Sequence, residues 1–365
     1  MLGLITLLAF KFTPNDTDDL ARYFWALDHF RENGKAELEW YISDGKYSWD
    51  VYRCMAYYFY FCSRFENNHV LPALTIFICY GSMFLIINKA ANRFNVNKMN
   101  LFLGAMFAIS TYWFYDTASG IRNGLAFSIA FLATYYHLVE RKYIPICYAL
   151  YVVAAFSHSA GIMPVLIVAV TVLTFNNDGK LLKYFLAFGI VGGNMLLQYV
   201  AKSSSSKFIL RLAGQAEAHE ATSINLMETG TMFRVNIAVL VVLIALLWYF
   251  SYFFTHGEHS KELKRFYKYS SLYTFFMIGC MFSGLLFVRF MRWITPVLIA
   301  LIFMIGSQLR DDQIRRIGKK QAYSLSPVLS ERIHLKQMVT TLFVVFTAVH
   351  FWYLCEGSSL YWIHF

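Results

Sequence analysis

The sequence predicts an all-α, polytopic integral membrane protein. Three observations carry that prediction: apolar stretches near spanning length recur along the chain, short charged loops separate them, and lysine and arginine favour every second loop. Hydrophobic residues make up 58% of the 365 residues, aromatic residues 19% and charged residues only 15%, a composition outside the range of soluble globular domains. Lipid is therefore the expected solvent for most of the surface. In lipid every backbone polar group must be bonded within the chain, which helices achieve.

A bilayer core takes roughly 20 apolar residues per helix. Segments near that length fall at 70–88, 99–115, 120–139, 143–157, 159–175, 180–200, 235–254, 269–288, 290–308 and 338–354, about ten spans. Met1 to Phe12 is apolar but too short to cross alone, and it lacks the basic start and cleavage site of a signal peptide, so it reads as a clipped first helix and brings the number to ten or eleven. Basic residues cluster in alternate connections: Lys89, Arg93 and Lys98; Arg141 and Lys142; Lys180 and Lys183; Lys261, Lys264, Arg265 and Lys268; and Arg310 to Lys336. By the positive-inside bias those loops face the cytoplasm and the intervening ones face outward.

The net charge of +10 is a topology signal, because it is dispersed over loops without a contiguous basic domain, and no nucleic-acid partner is expected. The six cysteines show no C-x-x-C and no paired spacing, which supports neither a metal site nor a disulfide framework. There is no G-x-x-x-x-G-K-[ST] loop and no H-E-x-x-H, so nucleotide-driven pumping and zinc proteolysis have no motif behind them. Energy is expected from the substrate or a gradient.

Within one membrane domain covering 1–365, two segments break the rhythm. Residues 13–69 hold ten of the 22 acidic residues and an aromatic stretch, Val51 to Cys62, too short to span and better read as an interfacial or re-entrant helix. Residues 201–234 form a long polar outer loop, a candidate lid. The sharpest local signal lies between Asp116 and Gly161. Arg122 opens one helix and His158 closes the next, so roughly 17 residues each way, about 25 Å, return both side chains to the same outer level. Arg122 also stands in a first helical turn, where free N–H groups favour an anion. The competing readings are an arginine that snorkels to headgroups and a structural histidine at a helix end.

The block Ile121-Arg122-Asn123-Gly124-Leu125-Ala126, the Arg141-Lys142 turn and Phe156-Ser157-His158-Ser159-Ala160 resemble the core signature of the EpsG family of bacterial exopolysaccharide synthesis, which includes Wzy-type polymerases. Asn123 departs from it, since the family usually places glutamine there. The resemblance implies a membrane glycosyltransferase of GT-C-like architecture in the bacterial inner membrane. Its expected reaction joins undecaprenyl-diphosphate-linked oligosaccharide units, as donor and acceptor, into O-antigen, capsular or exopolysaccharide on the outer face, with lipid diphosphate leaving.

That chemistry needs cations for the leaving group, a base for the acceptor hydroxyl and support for an oxocarbenium ion. Arg122, Arg234, Arg289, Arg292 and Arg211 are the diphosphate candidates, because a guanidinium stays charged and binds oxygens bidentately. Arg289 and Arg292 are three apart on one helical face. His158 and Asp116 are the candidates for the base. Asp16, Asp18 and Asp19 are candidates for the acceptor sugar, against the plainer reading of a solvated acidic face. No metal and no cofactor are expected, since arginines can neutralise the diphosphate. Membrane lipid and a chain-length regulator are candidate partners. A lipid-linked oligosaccharide flippase or other transporter, a membrane O-acyltransferase and a non-enzymatic scaffold are the alternatives; transporters usually carry midplane charges and repeats, which are not evident here.

Overall fold

The computed structural model describes residues 1–176 except 17, 46 and 48, then 181–188, 199, 200, 202, 237–241, 244, 247, 260–281, 284–319, 344 and 348, with backbone alone at 284, 285 and 308–319. The protein is all-α. In chain order the helices are α1 (Leu2–Lys11), α2 (Asp19–Asp44), α3 (Arg53–Cys62), α4 (Val70–Arg93), α5 (Lys98–Thr111), α6 (Phe114–Ser119), α7 (Ile121–Tyr135), a π-turn (Tyr136–Glu140), α8 (Ile144–Ser157), α9 (Ser159–Leu173), α10 (Lys261–Cys280), α11 (Gly284–Trp293) and α12 (Thr295–Lys319). The chain divides into two compact units, Met1–Val165 with Thr295–Phe365, and Leu166–Ile294.

In the first unit α4 is the central post, packed by α1, α5, α6, α7 and α12. Its buried residues include Ile76, Cys79, Tyr80, Met83, Ile86, Ile87 and Ala90, an i, i+3, i+4, i+7 pattern facing its neighbours. α7 is buried on nearly all sides, which its small residues Gly124, Ala126, Ala130 and Ala133 permit. In lipid there is little hydrophobic drive between helices, so close approach through small residues does the work. At Gly104 on α5, an added Cβ would lie 3.0 Å from Phe303 and 3.1 Å from Ile299 of α12. At Gly161 on α9 it would lie 2.6 Å from the Ala154 carbonyl of α8 and 3.0 Å from Ala126 of α7. α8 leaves Ile146, Tyr148, Val152, Val153 and Phe156 exposed, an apolar surface with lipid as its natural solvent. The Thr134 and Ser157 hydroxyls turn back on their own helices, donating to Ala130 O and Val153 O, which satisfies them locally.

The α7–α8 connection follows from its sequence. The π-turn widens the end of α7, Arg141 and Tyr143 take left-handed backbone, and Pro145 sits in the first turn of α8, where its missing N–H costs nothing. Glu140 accepts from Arg93 of α4 at 3.4 Å and lies 4.0 Å from Lys142, which fastens this end to α4.

In the second unit α10 is capped by Ser260, whose side chain accepts from Leu263 N at 3.3 Å. Arg265 lies over the Phe175 ring at 4.8 Å, Tyr267 donates to Leu247 O at 2.8 Å, and Phe276 of α10 meets Phe290 of α11 edge-on at 4.8 Å.

Span lengths differ from expectation. Among the described residues only Val70–Arg93 is by itself long and apolar enough to cross a membrane; Leu286–Trp293 and Thr295–Ser307 reach that length as a pair. The segments expected at 99–115, 143–157 and 159–175 are helices of 14, 14 and 15 residues, about 21–23 Å long and short of a hydrocarbon core of about 30 Å. Hydropathy extends a segment through Tyr112 to Tyr115, whereas the backbone leaves the helix after Thr111. The segment at 269–288 begins eight residues earlier, where Ser260 caps a polar first turn, and breaks after Cys280. The one at 290–308 is divided at Ile294, and Pro296 occupies the first turn of α12. Most of 180–200, 235–254 and the loop 201–234, and nearly all of 338–354, lie outside the described residues.

We expect Gly161→Ala to lower stability by about 1–3 kcal/mol, because backbone cannot yield to the new methyl as a side chain would. Gly3→Ala, with nothing within 4 Å, stays within about 0.5 kcal/mol of wild type. Thermal unfolding of the purified protein in one detergent compares them.

Candidate functional site

The site is built on the connection between α2 and α3, ahead of the long apolar helix α4. α2 carries Leu20, Tyr23, Ala26, Leu27 and Phe30 on its buried face and breaks at Gly34, whose φ of 67° and ψ of −141° only glycine adopts at low cost. It ends at Gly45, left-handed at φ 67°. The chain then turns through Tyr47, Trp49 and Tyr52 into α3, which buries Met55, Ala56, Phe59 and Cys62 along one face. An aromatic core of Phe30, Tyr41, Trp49 and Phe59, all fully buried, supports this turn, with ring centroids 5.1–5.6 Å apart for Phe30–Tyr41, Phe30–Trp49, Tyr41–Trp49 and Trp49–Phe59. A polar knot fixes α2 to the α3–α4 connection. Arg31 donates to Asp28 at 2.7 Å, Asn68 Oδ1 at 2.6 Å and Phe65 O at 2.9 Å, and Asn68 donates to Asp28 at 2.9 Å.

Arg122, in the first turn of α7, reaches this turn. Its Nη1 donates to the Tyr47 carbonyl at 2.8 Å, and its guanidinium stands 5.8 Å from the centroid of the Tyr23 ring. Burial pushes the Tyr23 phenol up to about 12, an effect partly offset by the guanidinium beside it. The phenol is therefore neutral at neutral pH and leaves the charge of Arg122 uncancelled. One of the five guanidinium N–H groups donates to Tyr47 O, the Tyr23 hydroxyl also meets the fork, and the side chain is half-buried.

His158 ends α8 and precedes α9. Its ring stacks on Tyr52, with centroids 5.8 Å apart and planes at 17°, and its Nδ1 accepts from Ala160 N at 3.1 Å. The Gly161 N–H donates to His158 O at 2.9 Å, so the close approach at Gly161 sets this turn. Tyr47 and Tyr52 are five residues apart, which limits their separation to about 18 Å. Arg122 and His158 thus flank one short connection.

The other candidates are placed as follows. Asp116 lies in α6, half-buried; its carbonyl accepts from Gly120 N at 2.9 Å as α6 gives way to α7. Asp18 is the N-cap residue of α2; its carboxylate accepts from Asn15 N at 2.9 Å and from the Tyr115 hydroxyl, which anchors the start of α2 to α6. Asp19 pairs with Arg22 at the surface, and Asp16 is exposed. Arg289 and Arg292 lie on α11 in the second unit, Arg292 buried. Arg211 and Arg234 lie outside the described residues. Among the described residues no three His, Cys, Asp or Glu side chains gather as metal ligands.

Sequence reasoning did not find Tyr23, Tyr47 or Tyr52. Tyr23 was detectable, since Leu20, Tyr23, Leu27 and Phe30 follow helical spacing behind the cap position Asp18. Tyr47 acts through a carbonyl, which no side-chain pattern announces.

These features define a class: an all-α, membrane-associated protein with an arginine and a histidine at one end of a helical hairpin, against an aromatic-cored segment. The chain belongs to the EpsG family, whose family model matches residues 2–328, and a part in exopolysaccharide biosynthesis follows from that membership. Comparison with curated proteins and with solved structures gives no match.

Because Arg122 is held by a carbonyl, we expect Tyr47→Phe, which removes only the long 3.4 Å hydrogen bond from the hydroxyl to Arg22 O, to stay within about 0.5 kcal/mol of wild type in thermal unfolding. Gly45→Val, which places a side chain at left-handed φ and 3.4 Å from Asp50, should cost about 1–2 kcal/mol in the same unfolding measurement.

Proposed function

We propose that this protein is a polysaccharide polymerase of the inner membrane. It transfers a growing glycan from undecaprenyl diphosphate to the next lipid-linked repeat unit on the outer face. The observation that carries the proposal is the Arg122 fork, positioned by Tyr47 O in the first turn of α7 beside a neutral phenol. A glycosyl phosphate bond breaks with negative charge accumulating on the departing diphosphate. A cation already in place stabilises that charge without reorganising at the moment of reaction.

The free N–H groups at the start of α7 add to the same field. Arg289, Arg292, Arg234 and Arg211 are proposed as further diphosphate contacts, and Asp16, Asp18 and Asp19 as acceptor-sugar contacts. The acceptor proton is assigned to one of the titratable side chains at this level, Asp116 or His158. The charged loops at the opposite ends of the helices, with Arg93, Arg141 and Lys142 among them, support the outward orientation of this mouth. About ten crossings remain part of this reading, with the shorter helices tilted little or set in a locally thinned bilayer.

The test is genetic and direct. In the native host, deletion of the gene is complemented at matched expression by wild type, Arg122→Lys or Arg122→Ala, and surface polysaccharide is resolved on a gel. We expect Arg122→Ala to reduce polymer at least about 100-fold while single repeat units persist, and Arg122→Lys, with a charge but no fork, to recover only part. Loss of single units as well would shift the reading to export or precursor supply. A normal ladder from Arg122→Ala would overturn the assignment.

A further inference from the structure

α3 is too short to cross a bilayer, and it is fastened at two points to one end of the helical bundle. Its 10 residues span about 15 Å, half of a hydrocarbon core. Tyr52, its N-cap residue, stacks on His158, which closes α8. In its second half the Tyr58 and Thr75 hydroxyls share a hydrogen bond of 3.0 Å, which ties it to the second turn of α4. The Arg93–Glu140 ion pair holds the opposite end of α4 beside the connection that leads into α8. α3 therefore bridges the start of α4 and the end of α8.

The two faces of α3 differ. Met55, Ala56, Phe59 and Cys62 are buried against its neighbours. Arg53, Tyr57, Phe61 and Arg64 follow at i, i+4, i+8 and i+11, so they line one edge, and Phe65 continues it. Tyr57 is 56%, Phe61 53% and Phe65 42% exposed, and Phe61 meets Phe65 edge-on at 5.5 Å. Both arginines are exposed. The Arg64 guanidinium lies 4.0 Å over the Tyr60 ring and makes no hydrogen bond or ion pair among the described residues, while Arg53 gives one N–H to the Asp50 carbonyl at 3.3 Å. Residues 53–65 contain no Asp, Glu, Asn or Gln; Asp50 and Glu66, the nearest acids in sequence, lie beyond the two ends of the stripe. Aromatic rings that hold a sugar need such side chains beside them to orient its hydroxyls. Rings bracketed by cations alone match an apolar layer bordered by phosphate.

We propose that α3 is an interfacial helix that docks on anionic phospholipid, with Tyr57, Phe61 and Phe65 seated between headgroups and acyl chains and Arg53 and Arg64 on the lipid phosphates. The arginine stems lie along the rings and carry their charges to the polar layer. The docking holds whichever reaction the protein performs. It also sets the depth of the site, because Tyr52 ends the turn whose Tyr47 carbonyl accepts from Arg122.

Photochemical labelling tests this on the full-length protein. Phe61 is replaced by p-benzoylphenylalanine, whose excited ketone inserts into nearby C–H bonds, and Lys35, exposed on α2, carries the same group as a control. After illumination in host membranes, and in nanodiscs of phosphatidylethanolamine with a minor share of phosphatidylglycerol, adducts are identified by mass. We expect phospholipid adducts at position 61 and none at position 35. In the nanodiscs phosphatidylglycerol is expected about 5-fold above its share of the lipid, and Arg53→Gln with Arg64→Gln should return it to that share while thermal stability stays at wild type. An adduct at position 61 to a second copy, to another part of the chain or to glycan, or no adduct there, would overturn the docking. Lipid adducts without enrichment, or enrichment that survives loss of both arginines, would overturn the assignment of Arg53 and Arg64 to lipid phosphate.

Discussion

A charged guanidinium partly removed from water must be held by oxygens or it will pull its surroundings open, and here the holding oxygen comes from the backbone 75 residues earlier. The bond from Arg122 to the Tyr47 carbonyl joins the first turn of α7 to the turn between α2 and α3. The packing of α2 and α3 keeps that carbonyl in place. The buried rings of Phe30, Tyr41, Trp49 and Phe59 give the turn a solid floor, and the Arg31–Asp28–Asn68 knot locks the helix that leads into it. Asp18 closes the arrangement by accepting from Tyr115 next to the α6–α7 junction.

Two kinds of packing meet at this site. Around the turn between α2 and α3, large aromatic side chains are buried against one another. Within the helices, glycine and alanine let backbones touch, and dispersion between close surfaces replaces the hydrophobic effect. Gly161 sits where the two regimes join. Its missing side chain allows α7, α8 and α9 to converge, and the turn so formed carries the imidazole toward Tyr52.

Much of the helical pattern was legible because apolar runs and basic turns are one-dimensional signals. The helices at 70–93, 121–140 and 144–157 lie within a few residues of the segments read from hydropathy. Helix ends were less legible, since a cap such as Ser260 or a break at Ile294 changes the backbone without changing mean hydropathy. α2 was missed altogether: its acidic residues dominate the composition and conceal the periodic Leu20, Tyr23, Leu27 and Phe30. Arg122 and His158 were visible as an arginine and a histidine one hairpin apart. What each is bonded to was not, because a carbonyl at Tyr47, an N–H at Ala160 and a stacked ring at Tyr52 depend on tertiary placement.

The salt bridge between Arg93 and Glu140 has a mechanical consequence. It pins the α7–α8 hairpin to α4 at one end, while Arg122 and His158 stand at the other, across 20 residues or about 30 Å of continuous helix and π-turn. A hairpin fixed in this manner is a lever. A tilt of about 5° at the pinned end moves both side chains by about 2–3 Å together, preserving their mutual spacing while changing their distance from the turn that roofs them. A displacement at the pinned end would therefore be felt at Arg122 and His158 together.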